Sequence, residues 1–129
     1  MTTLVRELTL EVDAARAWDA LRDPGNAAKA FAGVLTHAVF DGKVRTVTFA
    51  NGAVVEERII AIDDARMRLA YCIGGGRFEH YQASIQIIPT GPRQCRFVWI
   101  CDLLPDEARA RVEPLMDAGC AAFVRNVAS

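Results

Sequence analysis

The central part of the chain, Gly42 to Asp102, alternates apolar and polar residues with the period of two that a β-strand requires. Turn residues separate these runs, and the pattern therefore predicts consecutive antiparallel strands. With the runs that precede this part, the predicted strands are Leu4 to Val12, Leu35 to Phe40, Val44 to Phe49, Ala53 to Ile62, Met67 to Ile73, Tyr81 to Ile87 and Cys95 to Cys101.

Two short helices are predicted between the first strand and the second. The apolar residues of the first helix share one face, and they are Ala14, Ala17, Trp18 and Leu21. Asp13 can cap this helix, and the turn residues Asp23-Pro24-Gly25 end it. The second helix is expected from roughly Asn26 to Phe31, with its end marked by Gly33.

A long amphipathic helix is predicted over Asp106 to Ala128, and its apolar stripe is Val112, Met116, Gly119 and Phe123. Pro114 lies inside the pattern, so it marks either a kink or the first turn of a shorter helix. We favour the kink because Asp106 and Glu107 suit a helix N-terminus. The concave side of the sheet is the surface available to bury the stripe. The element order therefore predicts an α+β fold with its helices on one face.

Length and composition place the chain among ordinary globular proteins. Its 129 residues predict one domain over residues 1–129, and 52% apolar with 24% charged residues is typical of a water-soluble protein. The net charge of −1 and the mixed charges argue against a nucleic-acid partner. The charged N-terminus does not resemble a signal peptide, and no aliphatic run is long enough to span a membrane, so a cytoplasmic location is expected.

Few residues suit a metal or a cofactor. The cysteines are Cys72, Cys95, Cys101 and Cys120, and they form no CxxC pair and have no histidine at ligand spacing. They are therefore expected to be buried free thiols. His37 and His80 lack partners for a triad, and Gly74-Gly75-Gly76 is not followed by the Lys-Ser/Thr of a phosphate loop. We therefore expect no metal, nucleotide or haem.

The dipeptide Asn51-Gly52 predicts a hairpin for which two registers are possible. A two-residue turn sets Arg45 opposite Arg58, whereas a three-residue loop with a left-handed Gly52 sets Arg45 opposite Glu57. We choose the second register because it pairs opposite charges.

In this register Arg45 and Glu57 point toward the helices, where an isolated charge would be costly. The pair either only orders the mouth of the barrel or forms a polar pole that orients a ligand's carbonyl, hydroxyl or carboxylate. We expect Arg45 to lower the pKa of Glu57 and make it a weak base. The candidate ligand-binding residues, all predicted on the inner face, are Arg45, Val47, Phe49, Val55, Glu57, Ile59, Tyr71, Tyr81, Ala83, Phe97, Trp99, Met116 and Phe123.

Several segments together resemble one protein superfamily. They are Ala17-Trp18, the run Gly42 to Val47, Glu57-Arg58 followed by Asp63-Asp64, Tyr71, Tyr81 and the final helix. They resemble the START-like or SRPBCC superfamily, above all its polyketide cyclase/dehydrase-like branch. The resemblance implies a helix-grip fold, in which a curved antiparallel sheet of about seven strands wraps around a long C-terminal helix.

Plant abscisic-acid receptors of the same superfamily look similar, with two departures. Gly33 stands where their ligand-holding lysine would follow a residue matching Phe31, and the connection Ala50 to Ala53 is shorter than their gate loop. Hormone binding is therefore not implied.

Three functions stay open at this point. The leading one is binding of a hydrophobic small molecule (lipid-, polyketide- or isoprenoid-like) with one polar end, between the sheet and the C-terminal helix. The second is a cyclase or dehydratase acting on an aromatic precursor, in which Arg45 stabilises an enolate and Glu57 or Tyr81 moves protons. The third is an interaction module whose interior is fully packed. The first two predict a cavity, and the third predicts none.

Overall fold

A computed structural model describes residues 1–128 of the chain. Its strands are β1 (Thr2–Leu10), β2 (Leu35–Phe40), β3 (Val44–Phe49), β4 (Val54–Asp63), β5 (Arg68–Ile73), β6 (His80–Gly91) and β7 (Gln94–Leu104). Its α-helices are α1 (Ala14–Arg22), α2 (Ala27–Ala30) and α3 (Arg109–Val127). Short 3₁₀ turns at Pro24–Asn26 and Asp106–Ala108 precede α2 and α3.

The seven strands form one antiparallel sheet in the order β1-β7-β6-β5-β4-β3-β2. The predicted α+β helix-grip fold is confirmed. The differences lie at element ends, where β1 stops at Leu10 and α2 is a single turn. Asp13 is the N-cap residue of α1 as predicted, but it accepts from Arg16 N and Ala17 N through its backbone carbonyl and not through its carboxylate.

Helix α3 continues through Pro114, so the shorter helix beginning at this residue is ruled out. Two sets of polar contacts hold α3 over the sheet. At the β1 edge, the Nε and Nη2 atoms of Arg6 donate to Asp117 and Glu113, each over 2.6 Å. At its C-terminal end, the Nδ2 atom of Asn126 donates to the backbone oxygen of Ala30 over 3.1 Å.

The interior has two differently filled ends. The first, which we call the packed end, is a dense cluster centred on Phe97 and Phe123, both with 0% exposure, and completed by Trp18, Ile87 and Cys95. The ring centroids of Phe97 and Phe123 are 4.9 Å apart. The second, which we call the cavity end, lies under the N-terminal half of α3 and includes Arg45, Val47, Val55, Glu57 and Tyr71.

All four cysteines are free, as predicted; three of them are buried, while Cys72 is partly exposed. Within residues 1–128, no helix is both long and apolar enough to cross a membrane.

Candidate functional site

A cavity of about 430 Å³ lies between the concave face of the sheet and α3. Its size falls within the range typical of small-molecule sites. The wall has an apolar deep part of buried side chains, formed by Leu21, Phe31, Leu69 and Ile85. Its mouth is formed by exposed residues, namely Asn51, Ala53, Arg77, Arg111, Pro114 and Leu115. The existence of this cavity contradicts the hypothesis of a fully packed interaction module.

The predicted hairpin register is confirmed. Arg45 pairs with Glu57 across β3 and β4, and Gly52 adopts the left-handed conformation with φ +91°. The Gly52 N–H donates to the Phe49 oxygen over 2.9 Å and closes the loop. A glycine suits this position because a Cβ is disfavoured at such a φ.

The Arg45 and Glu57 side chains form a buried ion pair inside the cavity. The Arg45 Nε atom donates to Glu57 Oε1 over 2.7 Å, and the side chains keep only 8% and 11% of their exposure. The Arg45 Cζ atom also lies 5.3 Å from the centroid of the Tyr71 ring, in cation–π contact. Because Arg45 donates to Glu57 through Nε alone, its remaining N–H groups are available to another acceptor.

Arg45 lowers the pKa of Glu57 as expected, but the net shift of that pKa is upward, so the prediction of a weak base is wrong. Burial raises the pKa of the Glu57 carboxyl above its ordinary value near 4.5, and the Arg45 cation offsets only part of this rise. Desolvation of two buried charges commonly exceeds their mutual attraction. Glu57 is therefore a better proton acceptor than an Arg-paired surface glutamate.

An aromatic group lies beside the ion pair. The ring centroids of Tyr71 and Tyr81 are 6.3 Å apart, and those of Tyr81 and Phe78 are 4.9 Å apart. Burial raises the pKa of both phenols, so their hydroxyl groups are neutral hydrogen-bonding groups near physiological pH. The interior of the cavity thus has one polar zone among apolar side chains, and the other polar wall residues lie at the mouth.

Trp99 and Gly119 determine how closely α3 approaches the sheet. A Cβ on Gly119 would lie 2.9 Å from Trp99 Cζ3, so only glycine allows this contact without a shift. The Trp99 Nε1 atom is buried and has no hydrogen-bond partner within the described residues. A buried N–H without an acceptor costs on the order of 1–3 kcal/mol. An acceptor group that reached this nitrogen would remove the penalty.

Most of the predicted site residues line the cavity. These are Arg45, Val47, Phe49, Val55, Glu57, Tyr71, Tyr81, Trp99 and Met116. Four predicted residues lie outside the wall, namely Ile59, Ala83, Phe97 and Phe123. They point to the same side of the sheet or helix, as alternation requires, but neighbouring side chains cover them. A role in ligand binding stays a prediction for the residues that line the cavity.

The cavity wall includes residues that the sequence analysis missed. They come mostly from the segment between α2 and β2, the start of β2, the β5–β6 loop and α3, and the principal ones are Phe31, Val34, Leu35, Arg77, Phe78, Arg111 and Leu115. Loop residues such as Arg77 have no periodicity to assign them to a face. Arg111 and Leu115 are four residues apart in α3, and each directly precedes a residue of the apolar stripe, Val112 or Met116. Helical spacing could therefore have indicated that both lie near the cavity.

The described residues contain no group of three or more His, Cys, Asp and Glu side chains that could hold a metal ion. His37 and His80 are both exposed and lie outside the cavity wall. The expectation of a cofactor-free protein stays a prediction.

A family model described as polyketide cyclase/dehydrase and lipid transport matches residues 1–128. No curated protein matches the sequence. Among solved structures, an uncharacterised protein from Bacillus thuringiensis is similar with a TM-score of 0.88 and 16% identity, over 99% of this chain and 100% of that one.

Two further solved structures are similar to this chain. A START superfamily protein from Mycobacterium smegmatis has a TM-score of 0.79 and 10% identity, over 97% of this chain and 96% of that one. Norcoclaurine synthase from Thalictrum flavum, in complex with a transition-state analogue, has a TM-score of 0.73 and 22% identity, over 98% and 93% of the two chains. At these identities, the similarity establishes the fold alone.

Proposed function

The chain belongs to the polyketide cyclase/dehydrase and lipid transport family, and from this premise we propose that it binds a hydrophobic small molecule in the cavity under α3. The ligand is lipid-, polyketide- or isoprenoid-like and carries a polar oxygen that faces Arg45 and Glu57. The observation that carries this proposal is a cavity of about 430 Å³ with apolar walls and a single buried ion pair. Such a combination is typical of sites that bind and orient small ligands.

The ion pair favours a neutral polar group over a charged one. Arg45 is already balanced by Glu57 at 2.7 Å, so the pair offers hydrogen bonds without a net charge. The unused N–H groups of Arg45 suit a carbonyl or hydroxyl oxygen. Apolar walls supply most of the affinity, and the donors fix the orientation.

The proposal can be tested by calorimetric titration with naphthalene and naphthol, which differ by one hydroxyl group. We expect the wild type to bind both and to prefer naphthol. The double variant Arg45→Met/Glu57→Met replaces the ion pair by apolar side chains of similar size. It should therefore still bind naphthalene but lose the preference for naphthol. If the double variant still preferred naphthol, the ion pair would have no role in recognising the hydroxyl group. Failure of the folded wild type to bind either compound would refute the proposal.

A second candidate function is proton-transfer catalysis in the same cavity. It is favoured by one observation, namely that burial raises the pKa of Glu57 beside the Arg45 cation. A carboxyl with a raised pKa accepts a proton more readily than an ordinary one, while the arginine stabilises an enolate oxygen. Turnover of an aromatic precursor that is lost in Glu57→Gln, with binding retained, would establish this function over simple binding.

A further inference from the structure

The mouth of the cavity carries two arginines that the ion pair does not balance. The charged residues on the wall are Arg45, Glu57, Arg77 and Arg111. Since Arg45 and Glu57 neutralise each other, the wall keeps an excess of positive charge, and all of this excess lies at the mouth.

Both mouth arginines are held in place by neutral groups. The Arg77 Nη2 atom donates to the Val54 oxygen over 3.1 Å, and the Arg111 Nη2 atom donates to the Arg77 oxygen over 3.2 Å. The Arg111 Cζ atom lies 4.6 Å from the centroid of the Phe78 ring. The two side chains thus converge on one rim, with most of their N–H donors unused.

Nearby acidic residues do not neutralise this rim. Glu113, two residues after Arg111 on α3, is already paired with Arg6 and Arg109 over 2.6 Å and 2.7 Å. Within residues 1–128, no carboxylate forms an ion pair with Arg77 or Arg111. Two cations at the rim of an apolar cavity produce a local potential that attracts anions.

We propose that this rim is an anion subsite and that the ligand is an amphiphilic acid. Its anionic head lies at Arg77 and Arg111, and its apolar body extends past the ion pair to the deep wall. This inference rests on the proposed function of the cavity. The head is separate from the oxygen that faces Arg45, because Val54 and Glu57 are three residues apart on β4, or about 10 Å along an extended strand.

The test is competition against a bound apolar fluorescent probe by dodecanoate, methyl dodecanoate and dodecanol. We expect the wild type to bind dodecanoate about three- to tenfold more tightly than the two neutral compounds at low salt. The preference should shrink as salt increases, because the rim is exposed to solvent. In Arg77→Gln/Arg111→Gln the preference should vanish, while the affinity for dodecanol stays unchanged.

A matched control removes two positive charges elsewhere. Arg68 and Arg93 lie at the opposite end of β5 and β6, so Arg68→Gln/Arg93→Gln should keep the wild-type preference for dodecanoate. Equal loss in both double variants would mean that net charge alone acts, and would overturn the subsite.

Other outcomes separate this inference from the proposed function. If dodecanol bound to the wild type as tightly as dodecanoate, the proposed anion subsite would be refuted, whereas the proposed binding of a hydrophobic ligand would be supported. If none of the compounds displaced the probe, the proposed function itself would fail. Binding that depends on Arg77 and Arg111 but is seen only with anionic phosphatidylglycerol vesicles would also overturn the subsite, since the rim would then contact a membrane surface.

Discussion

The packed end and the cavity end of the molecule share one sheet and one helix, yet side chains fill them in opposite ways. At the packed end, Phe97 and Phe123 lie ring against ring with centroids 4.9 Å apart. At the cavity end, the same face of the sheet presents Val47, Val55 and an ion pair beneath a space of about 430 Å³. The contrast indicates that stability resides at one end and that the other end is free to serve a ligand.

The largest difference should come from truncating a phenylalanine at each end. Phe123→Ala removes a fully buried ring and should lower the free energy of unfolding by about 3–5 kcal/mol. Phe49→Ala, on the partly exposed cavity wall, only widens an existing space and should cost less than about half as much. Urea denaturation of both variants measures the difference, and equal costs would show that the two ends do not differ in packing.

Breaking the ion pair from either side should have unequal effects. Arg45→Met leaves Glu57 buried without a cation and should cost about 3–5 kcal/mol at neutral pH. Glu57→Gln keeps an acceptor for Arg45 Nε and removes a charge whose burial is unfavourable, so its cost should be near zero or negative. Denaturant titrations of the two variants and of Arg45→Met/Glu57→Met give the coupling. A Glu57→Gln variant as unstable as Arg45→Met would show that the attraction outweighs desolvation.

Overpacking the contact between α3 and the sheet should have an intermediate effect. Gly119→Ala gains helix propensity, yet its Cβ would meet Trp99 Cζ3 at 2.9 Å, so we expect a net loss of about 1–3 kcal/mol. Ala121→Gly, on the exposed side of α3, controls for propensity and should cost about 1 kcal/mol. A stabilised Gly119→Ala variant in thermal unfolding would show that the helix can shift away from Trp99.

The smallest effect concerns pH. The folded-state pKa of Glu57 is raised, so its protonated form contributes stability that is fully present below about pH 4.5 and is lost as the pH rises through the folded pKa. The surface residues Asp63, Asp64 and Glu113, which are partly or fully exposed, have lowered pKa values and act in the opposite sense, losing their contribution as the pH falls. Comparing wild type with Glu57→Gln from acid to neutral pH isolates the first effect. The wild type should lose stability relative to the variant as pH rises, and a constant difference would contradict the raised pKa.

The sequence predicts the sheet well and the cavity only in part. Alternation assigns Tyr81, Ala83, Ile85 and Ile87 to one face, and charge pairing selects the correct hairpin register. Alternation alone cannot tell which part of an inner face is covered by other elements. Phe97 and Phe123 therefore share the predicted face but lie in the core, outside the cavity wall.

Two features of the site depend on tertiary packing that no local pattern reports. The β5–β6 loop brings Arg77 to the mouth beside Arg111 of α3, although 34 residues separate them in sequence. The direction of the Glu57 pKa shift depends on how completely the fold removes water from the ion pair. Pairing could be inferred from the sequence, whereas the depth of burial could not.

The central claim, that the cavity end is a ligand site, is tested most directly by titrating the protein with an apolar fluorescent probe. Val55→Phe places a ring on the cavity wall, and Val98→Phe makes the same change on the opposite face of the sheet. We predict saturable one-to-one binding to the wild type and to Val98→Phe, and at least a tenfold loss (~1.4 kcal/mol) in Val55→Phe. Equal affinity in all three proteins, or no saturable binding to the folded wild type, would contradict the account.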